Sequence, residues 1–175
     1  MIEYRYMTQE QADKLQEIDR SEYIDVIYEM RDGIVTERKA GHDCANWNET
    51  ELTEIKQRYL YELQNGGLAI GAFDGNRLAG FGVLAHTFRG MNRDRLQIDL
   101  MYVSKNYRRQ GIGSNILNRL AAEAKGRGAK YLYISSTETG SAVSFYKRNG
   151  SQIADEIDEE LFLKEPKDIH MIKRL

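Results

Sequence analysis

Between residues 97 and 136 the chain follows a pattern that few folds can accommodate. The stretch "IDLMYV", 98–103, is apolar on both faces except at Asp99, the mark of a strand buried in the middle of a sheet. A glycine-bearing turn, "YRRQGIGSN" (107–115), comes next. Beyond it Ile112, Ile116, Leu117, Leu120, Ala121 and Ala124 recur at helical spacing, so a helix is expected over 110–125, ended by Gly126 and Gly128. The run "KYLYISS", 130–136, is a strand again. Strand, helix and strand in about 40 residues require a right-handed crossover and a parallel pair.

The remaining elements fit around this unit. Ile2, Tyr4 and Tyr6 alternate as a strand, and Thr8 caps a helix expected over 9–19. Two β-rich runs, 23–30 and 34–38, flank Asp32-Gly33, a strong hairpin signal. Residues 40–49 have no period and are expected to be loop. A second helix is expected over 49–63, stopped by Asn65-Gly66-Gly67. A second hairpin, 68–86, turns at Asp74-Gly75-Asn76, and a polar link follows it. A helix over 141–148 and strands near 152–157 and 169–175 complete the chain, with Pro166 in the last link. The reading is α/β with a mixed sheet in one domain, 1–175, carrying an inserted hairpin and loop at about 22–48.

Composition removes several classes of function. At 41% hydrophobic and 30% charged, this is an ordinary globular composition. A net charge of -2 gives no basic field for nucleic acid. The single cysteine, Cys44, permits neither an internal disulfide nor a thiolate zinc site, and no metal is expected. The opening residues lack the apolar core of a signal peptide, and the stretch 78–86 is too short to span a bilayer. The expectation is a soluble cytoplasmic protein without a membrane or nucleic-acid partner. Exposed strand edges leave room for a homodimer.

Arg108 and Arg109 at a helix start are unfavourable by themselves, because that end carries partial positive charge. A dinucleotide fingerprint would need a third glycine where Ile116 stands, and a Walker loop would need Gly-Lys followed by Ser or Thr. Neither is present. Two readings remain: a seat for a phosphate or pyrophosphate on free N–H groups, or glycines that ease a turn while the arginines face water.

"RRQGIG" resembles the Gln/Arg-x-x-Gly-x-Gly/Ala signature of the GNAT superfamily of N-acetyltransferases, and "SAVSFYKRNG" is similar to the family's Ala-x-x-Phe-Tyr-x-x-x-Gly stretch. The resemblance spans 97–150. It implies the GNAT acyl-CoA N-acyltransferase fold, with splayed parallel strands flanked by helices and acetyl-coenzyme A as co-substrate. The pyrophosphate would then lie against Arg108, Arg109, Gln110, Gly111, Ile112, Gly113 and Ser114. The pantetheine arm would pair with Met101, Tyr102 and Val103, with the Met101 N–H polarising the thioester carbonyl. Tyr146 falls where many relatives place the general acid; read by itself it is a core tyrosine beside Phe145. Asp99 stands where relatives often carry Glu. It could take a proton from the amine, bind the substrate ammonium, or pair with an arginine. His86 is a weaker candidate for the base. Thr139 replaces an Asn that relatives use toward the cofactor arm, and Gly150-Ser151 replaces a frequent Gly-Phe.

The inserted hairpin and loop read as a wall over the acceptor pocket, offering Asp25, Tyr28, Glu29, Asp43, Trp47 and Glu49 to a cationic amine, or as ordinary solvated charge. Cys44 has nothing nearby to activate it. Two functions are implied: acetylation of a primary amine of a small molecule, peptide or protein by direct attack, or a non-catalytic module that binds acyl-coenzyme A.

Overall fold

The computed structural model describes all of residues 1–175. Its centre is a seven-stranded sheet in the order β1-β4-β5-β6-β7-β9-β8. The strands are β1 (Ile2–Met7), β4 (Leu68–Asp74), β5 (Arg77–Arg89), β6 (Arg95–Val103), β7 (Tyr131–Ser136), β8 (Ser151–Ile153) and β9 (Ile169–Arg174). β6 and β7 form the parallel pair and every other neighbour is antiparallel. A separate hairpin, β2 (Glu22–Arg31) and β3 (Ile34–Cys44), stands beside the sheet.

Strand alternation divides the core into two layers. Ile70, Ala72, Leu96 and Ile98 face α2 (Ile112–Gly126) and α3 (Gly140–Arg148), where they pack with Ile116, Leu117, Leu120 and Val143. Ala69, Phe73, Phe81 and Val83 face the opposite side. They pack there against α1 (Glu49–Gln64) and a 3₁₀ helix, Gln9–Glu17, through Leu15, Ile55 and Tyr59. A short α4 (Glu159–Lys164) covers the far end of this second face, with Leu161 against Tyr133 and Ile172.

Several boundaries depart from the sequence reading. The segment Gln9–Glu17 is 3₁₀ rather than α. β3 runs on to Cys44 through residues expected to be loop, because pairing with β2 supplies its hydrogen bonds while its side chains stay largely exposed. β5 extends to Arg89 for the same reason, pairing Phe88 with Leu96 across the expected polar link. β8 stops at Ile153. α4 was not expected; six residues are too few to display a period, and Asp158 starts the helix by accepting from the Leu161 N–H at 3.0 Å. No helix is long and apolar enough to cross a membrane.

The hairpin is docked by backbone. The Tyr28 N–H donates to the Glu138 carbonyl at 2.7 Å, and Ile27 bridges Thr139. Gly140 permits this approach, since a Cβ there would run into the Val26 side chain.

Candidate active site

The turn before α2 leaves a row of backbone donors free. Arg109 and Gly111 both take left-handed conformations, with φ of 61° and 81°, and Gly111 is the N-cap, so α2 begins two residues later than expected. Asn115 is the first residue of the helix start whose N–H meets a carbonyl, that of Gly111 at 3.1 Å; the amides of Arg109, Gln110, Gly111, Ile112, Gly113 and Ser114 donate to no protein group. Nothing lies within 4 Å of where a Gly111 side chain would begin. Open space, unpaired amides and a helix dipole converge here, which is the arrangement that binds an anion. Arg109 and Gln110 are exposed around it, and Ile112 is buried as an anchor to the sheet.

At two positions of this turn it is the side chain, or its absence, that serves the fold. Arg108 turns its guanidinium inward and donates to the carbonyls of Val103 at 3.0 Å, Ser21 at 2.8 Å and Asp19 at 3.2 Å. This corrects the reading of Arg108 as a ligand-facing side chain. Gly113 is required by packing: a Cβ would stand 2.9 Å from the Phe145 ring on α3.

The strand before the turn opens a cleft. β6 pairs with β7 only from Arg95–Tyr131 to Ile98–Ile134, after which the strands separate. The cause is a bulge. On β5, Leu84 faces Ile98 and Val83 faces Leu100, so Asp99 is the unmatched residue. The extra residue reverses the alternation: Leu96 and Ile98 face α2 before it, and Met101 and Val103 do so after it. Beyond the bulge the Ser104 N–H bonds the Ala79 carbonyl at 2.8 Å, and Gly80 is matched with Val103. By antiparallel alternation Tyr102 then exchanges its backbone bonds with Phe81, while the backbone groups of Met101 and Val103 point into the gap left by β7. Tyr102 is therefore withdrawn from the expected backbone ladder. Arg108 occupies the Val103 carbonyl. Both backbone groups of Met101 and the N–H of Val103 remain.

Tyr146 lies buried on α3, edge-on to Phe145 at 5.1 Å between ring centroids, and its hydroxyl has no hydrogen-bond partner in the protein. Burial pushes its phenol well above the usual range, and neighbouring Tyr102 and Asp168 act in the same direction. Asp99 is held by Arg58 of α1, whose Nη2 stands 3.1 Å from Oδ1. Burial opposes the Arg58 charge, but Asp99, with Tyr102 and Glu165 acting in the same direction, leaves the guanidinium pKa raised. His86 is engaged elsewhere, with Nδ1 2.7 Å from the buried Glu62 carboxylate of α1. The Thr139 hydroxyl caps α3, accepting from the Ala142 N–H at 3.3 Å.

The hairpin lines an open cavity of about 600 Å³ whose other walls include Glu138, Phe162, Lys167, Asp168 and His170. Tyr28 and Glu29 belong to its rim. Asp25, Asp43 and Glu49 are exposed and do not line it, and Trp47 packs instead on Tyr102 at 4.8 Å. Cys44 ends β3 with its thiol toward the Ala45 carbonyl.

The sequence reading passed over Arg58, Ser135 and Asp168. The Asp168 carboxylate accepts from the Ser135 hydroxyl at 2.7 Å. Burial raises its pKa to about 6 against the pull of Ser135; Glu165 and Glu138 raise it further and Arg58 lowers it. Asp168 carries no local signature beyond being a carboxylate just before the last strand.

The family model described as the acetyltransferase (GNAT) family matches residues 24–150. A search of curated proteins gave no match. Among solved structures, the chain is similar to nourseothricin acetyltransferase, with 19% identity, a TM-score of 0.74, and 99% of this chain and 98% of that one covered. A Bacillus anthracis protein described as a streptothricin acetyltransferase, in complex with acetyl coenzyme A, is 18% identical with a TM-score of 0.75, covering 100% and 99%. The PaiA N-acetyltransferase of Thermoplasma acidophilum, in complex with coenzyme A, is 20% identical with a TM-score of 0.65, covering 100% and 99%. These likenesses are of fold. With the family model covering most of its length, from the hairpin through the end of α3, the chain belongs to the GNAT acetyltransferase family.

Proposed function

We propose that this protein is an N-acetyltransferase that moves the acetyl group of acetyl-coenzyme A to a primary amine by direct attack, with both substrates bound together. The observation that carries this reading is the alignment of unused backbone donors. The free amides of 109–114 and the cleft-facing groups of Met101 and Val103 follow one another along the splay. A pyrophosphate fits the first set and an extended amide-bearing arm fits the second. The similar structures that hold acetyl coenzyme A and coenzyme A support the choice of ligand. Strands from both ends of the chain complete one sheet around this cleft, which supports reading 1–175 as one catalytic unit.

Acetyl-coenzyme A supplies an activated acyl group on a thiol leaving group. The Met101 N–H is the donor available to the carbonyl oxygen as negative charge develops there. Tyr146 stays protonated at neutral pH because burial disfavours the phenolate, so it holds a proton for the departing sulfur. Asp99, held by Arg58 through both its carbonyl and its carboxylate, is the unmatched residue of the bulge at which β6 and β7 part. The acceptor amine enters from the hairpin cavity.

The test is a panel of amines assayed for release of free coenzyme A, with acetyl-coenzyme A binding followed by calorimetry. Streptothricin and nourseothricin belong in the panel beside polyamines and peptides, since two similar structures bear those names. Release with at least one amine is the expected result. Binding without release for every amine would place the chain among non-catalytic acyl-coenzyme A binders.

A further inference from the structure

Two carboxylates flank the opening between β6 and β7 from opposite sides. Ile98 and Ile134 are the last matched residues of the parallel pair, so Asp99 and Ser135 are the first residues past the fork on each strand. Asp99 is neutralised by Arg58. On the other strand, Ser135 holds Asp168 by a hydroxyl alone, at 2.7 Å. Asp168 also lines the hairpin cavity, so it belongs both to the edge of the fork and to the proposed route of the amine. The Asp99 carboxylate is thus engaged by a guanidinium, whereas the Asp168 carboxylate hydrogen-bonds only to a neutral hydroxyl and faces the cavity.

Resting on the acetyltransfer reading above, we infer that Asp168 is the catalytic base, accepting the proton that a bound ammonium must lose before its nitrogen can attack. The ammonium N–H bond breaks and its proton goes to the Asp168 carboxylate. The nitrogen lone pair forms the N–C bond, and the C–S bond breaks with its electron pair on sulfur. Tyr146 protonates that sulfur, and the second proton lost by nitrogen restores the Tyr146 phenol. Asp168 returns its proton to solvent, so each turnover releases one proton, one free thiol and one amide. The groups acting on Asp168 are Ser135 of β7, Glu138 after β7, Arg58 of α1, Glu165 in the α4–β9 link, and Tyr102 and Tyr146 from β6 and α3. Burial sets its titration near pH 6, which leaves it ionised and receptive at neutral pH.

The experiment measures kcat/KM from pH 5 to 10 for the wild type, Asp168→Asn and Ser135→Ala, using an amine that the panel identifies. The wild type should rise through an inflection near pH 6. Asp168→Asn should lose that inflection and about 10²-fold in rate at neutral pH, recovering toward pH 10 as the amine loses its proton unaided. Ser135→Ala should keep the inflection and move it to higher pH, because the lost hydroxyl favours the ionised form. An unchanged inflection in Asp168→Asn, or a loss equal at every pH, overturns the assignment. Should Asp168→Asn fail to fold, Ser135→Ala decides, and an inflection that stays in place rejects the base role. A wild type that turns over no amine overturns the acetyltransfer reading itself, and this inference with it. Wild-type turnover with an unaffected Asp168→Asn overturns the inference alone.

Discussion

Arg58 donates from Nη2 to both the carbonyl oxygen of Asp99, at 2.8 Å, and its carboxylate, at 3.1 Å. The residue held at these two points is the unmatched residue of the β6 bulge. α1 thus grips the position where the parallel strands begin to separate. Glu62, one turn further along the same helix, grips β5 through the His86 N–H at 2.9 Å and its imidazole.

Arg58→Met should lower stability by about 1 kcal/mol, the modest figure expected where one partner of the pair is half exposed. Urea denaturation measures it. The same variant removes a charge that favours ionised Asp168, so the acidic inflection of the rate profile should move to higher pH.

Gly113→Ala brings a Cβ against the Phe145 ring and should cost about 1–3 kcal/mol. Phe145→Leu in the same chain should restore part of the melting temperature. Gly111→Ala meets no neighbour but strains a left-handed residue, costing about 1 kcal/mol with no response to Phe145→Leu. The two glycines are thereby separated by thermal denaturation of four variants.

Tyr146→Phe should reduce turnover about 10²-fold or more while leaving acetyl-coenzyme A affinity unchanged by calorimetry. Its melting temperature should match the wild type, since the hydroxyl has no protein partner to lose. Full activity would assign the proton on sulfur to another donor.

Asp168→Asn should stabilise the protein above pH 6 and make little difference near pH 4. The folded-state pKa of about 6 exceeds the ordinary 3.8, so the folded protein binds the proton more tightly than the unfolded chain. Stability therefore falls as pH rises through that window, and the buried charge is a standing cost at pH 8. Removing it should add about 1–3 kcal/mol there in urea denaturation. A gain in stability together with a loss of rate would mark a carboxylate kept for chemistry.

Much of the fold is legible in the sequence because it rests on local rules. Period-2 and period-3.6 patterns mark most of the strands and the long helices, Asp32-Gly33 and Asp74-Gly75-Asn76 mark the hairpin turns, and the strand–turn–helix–strand unit requires a parallel pair. The departures share a cause. β3 and the end of β5 are strands because a partner strand satisfies their backbones, and their side chains carry little sign of it. Trp47 and Asp43 look equally able to face an amine in the linear chain, yet one lies on Tyr102 and the other is exposed.

For the site, the chain's order of residues determined that a glycine turn with free amides would open a helix behind a buried strand, since φ preference and unpaired N–H groups belong to that short segment itself. Which backbone groups face the cleft was decided by the fold: the bulge at Asp99 exists only against β5, and it turns Met101 and Val103 toward the gap while Tyr102 bonds to Phe81. The fold likewise assigned Arg108 to internal carbonyls and Gly113 to the Phe145 ring. Asp168 comes to Ser135 from 33 residues away. No spacing rule encodes that contact, because it depends on β9 adding to the sheet beside β7.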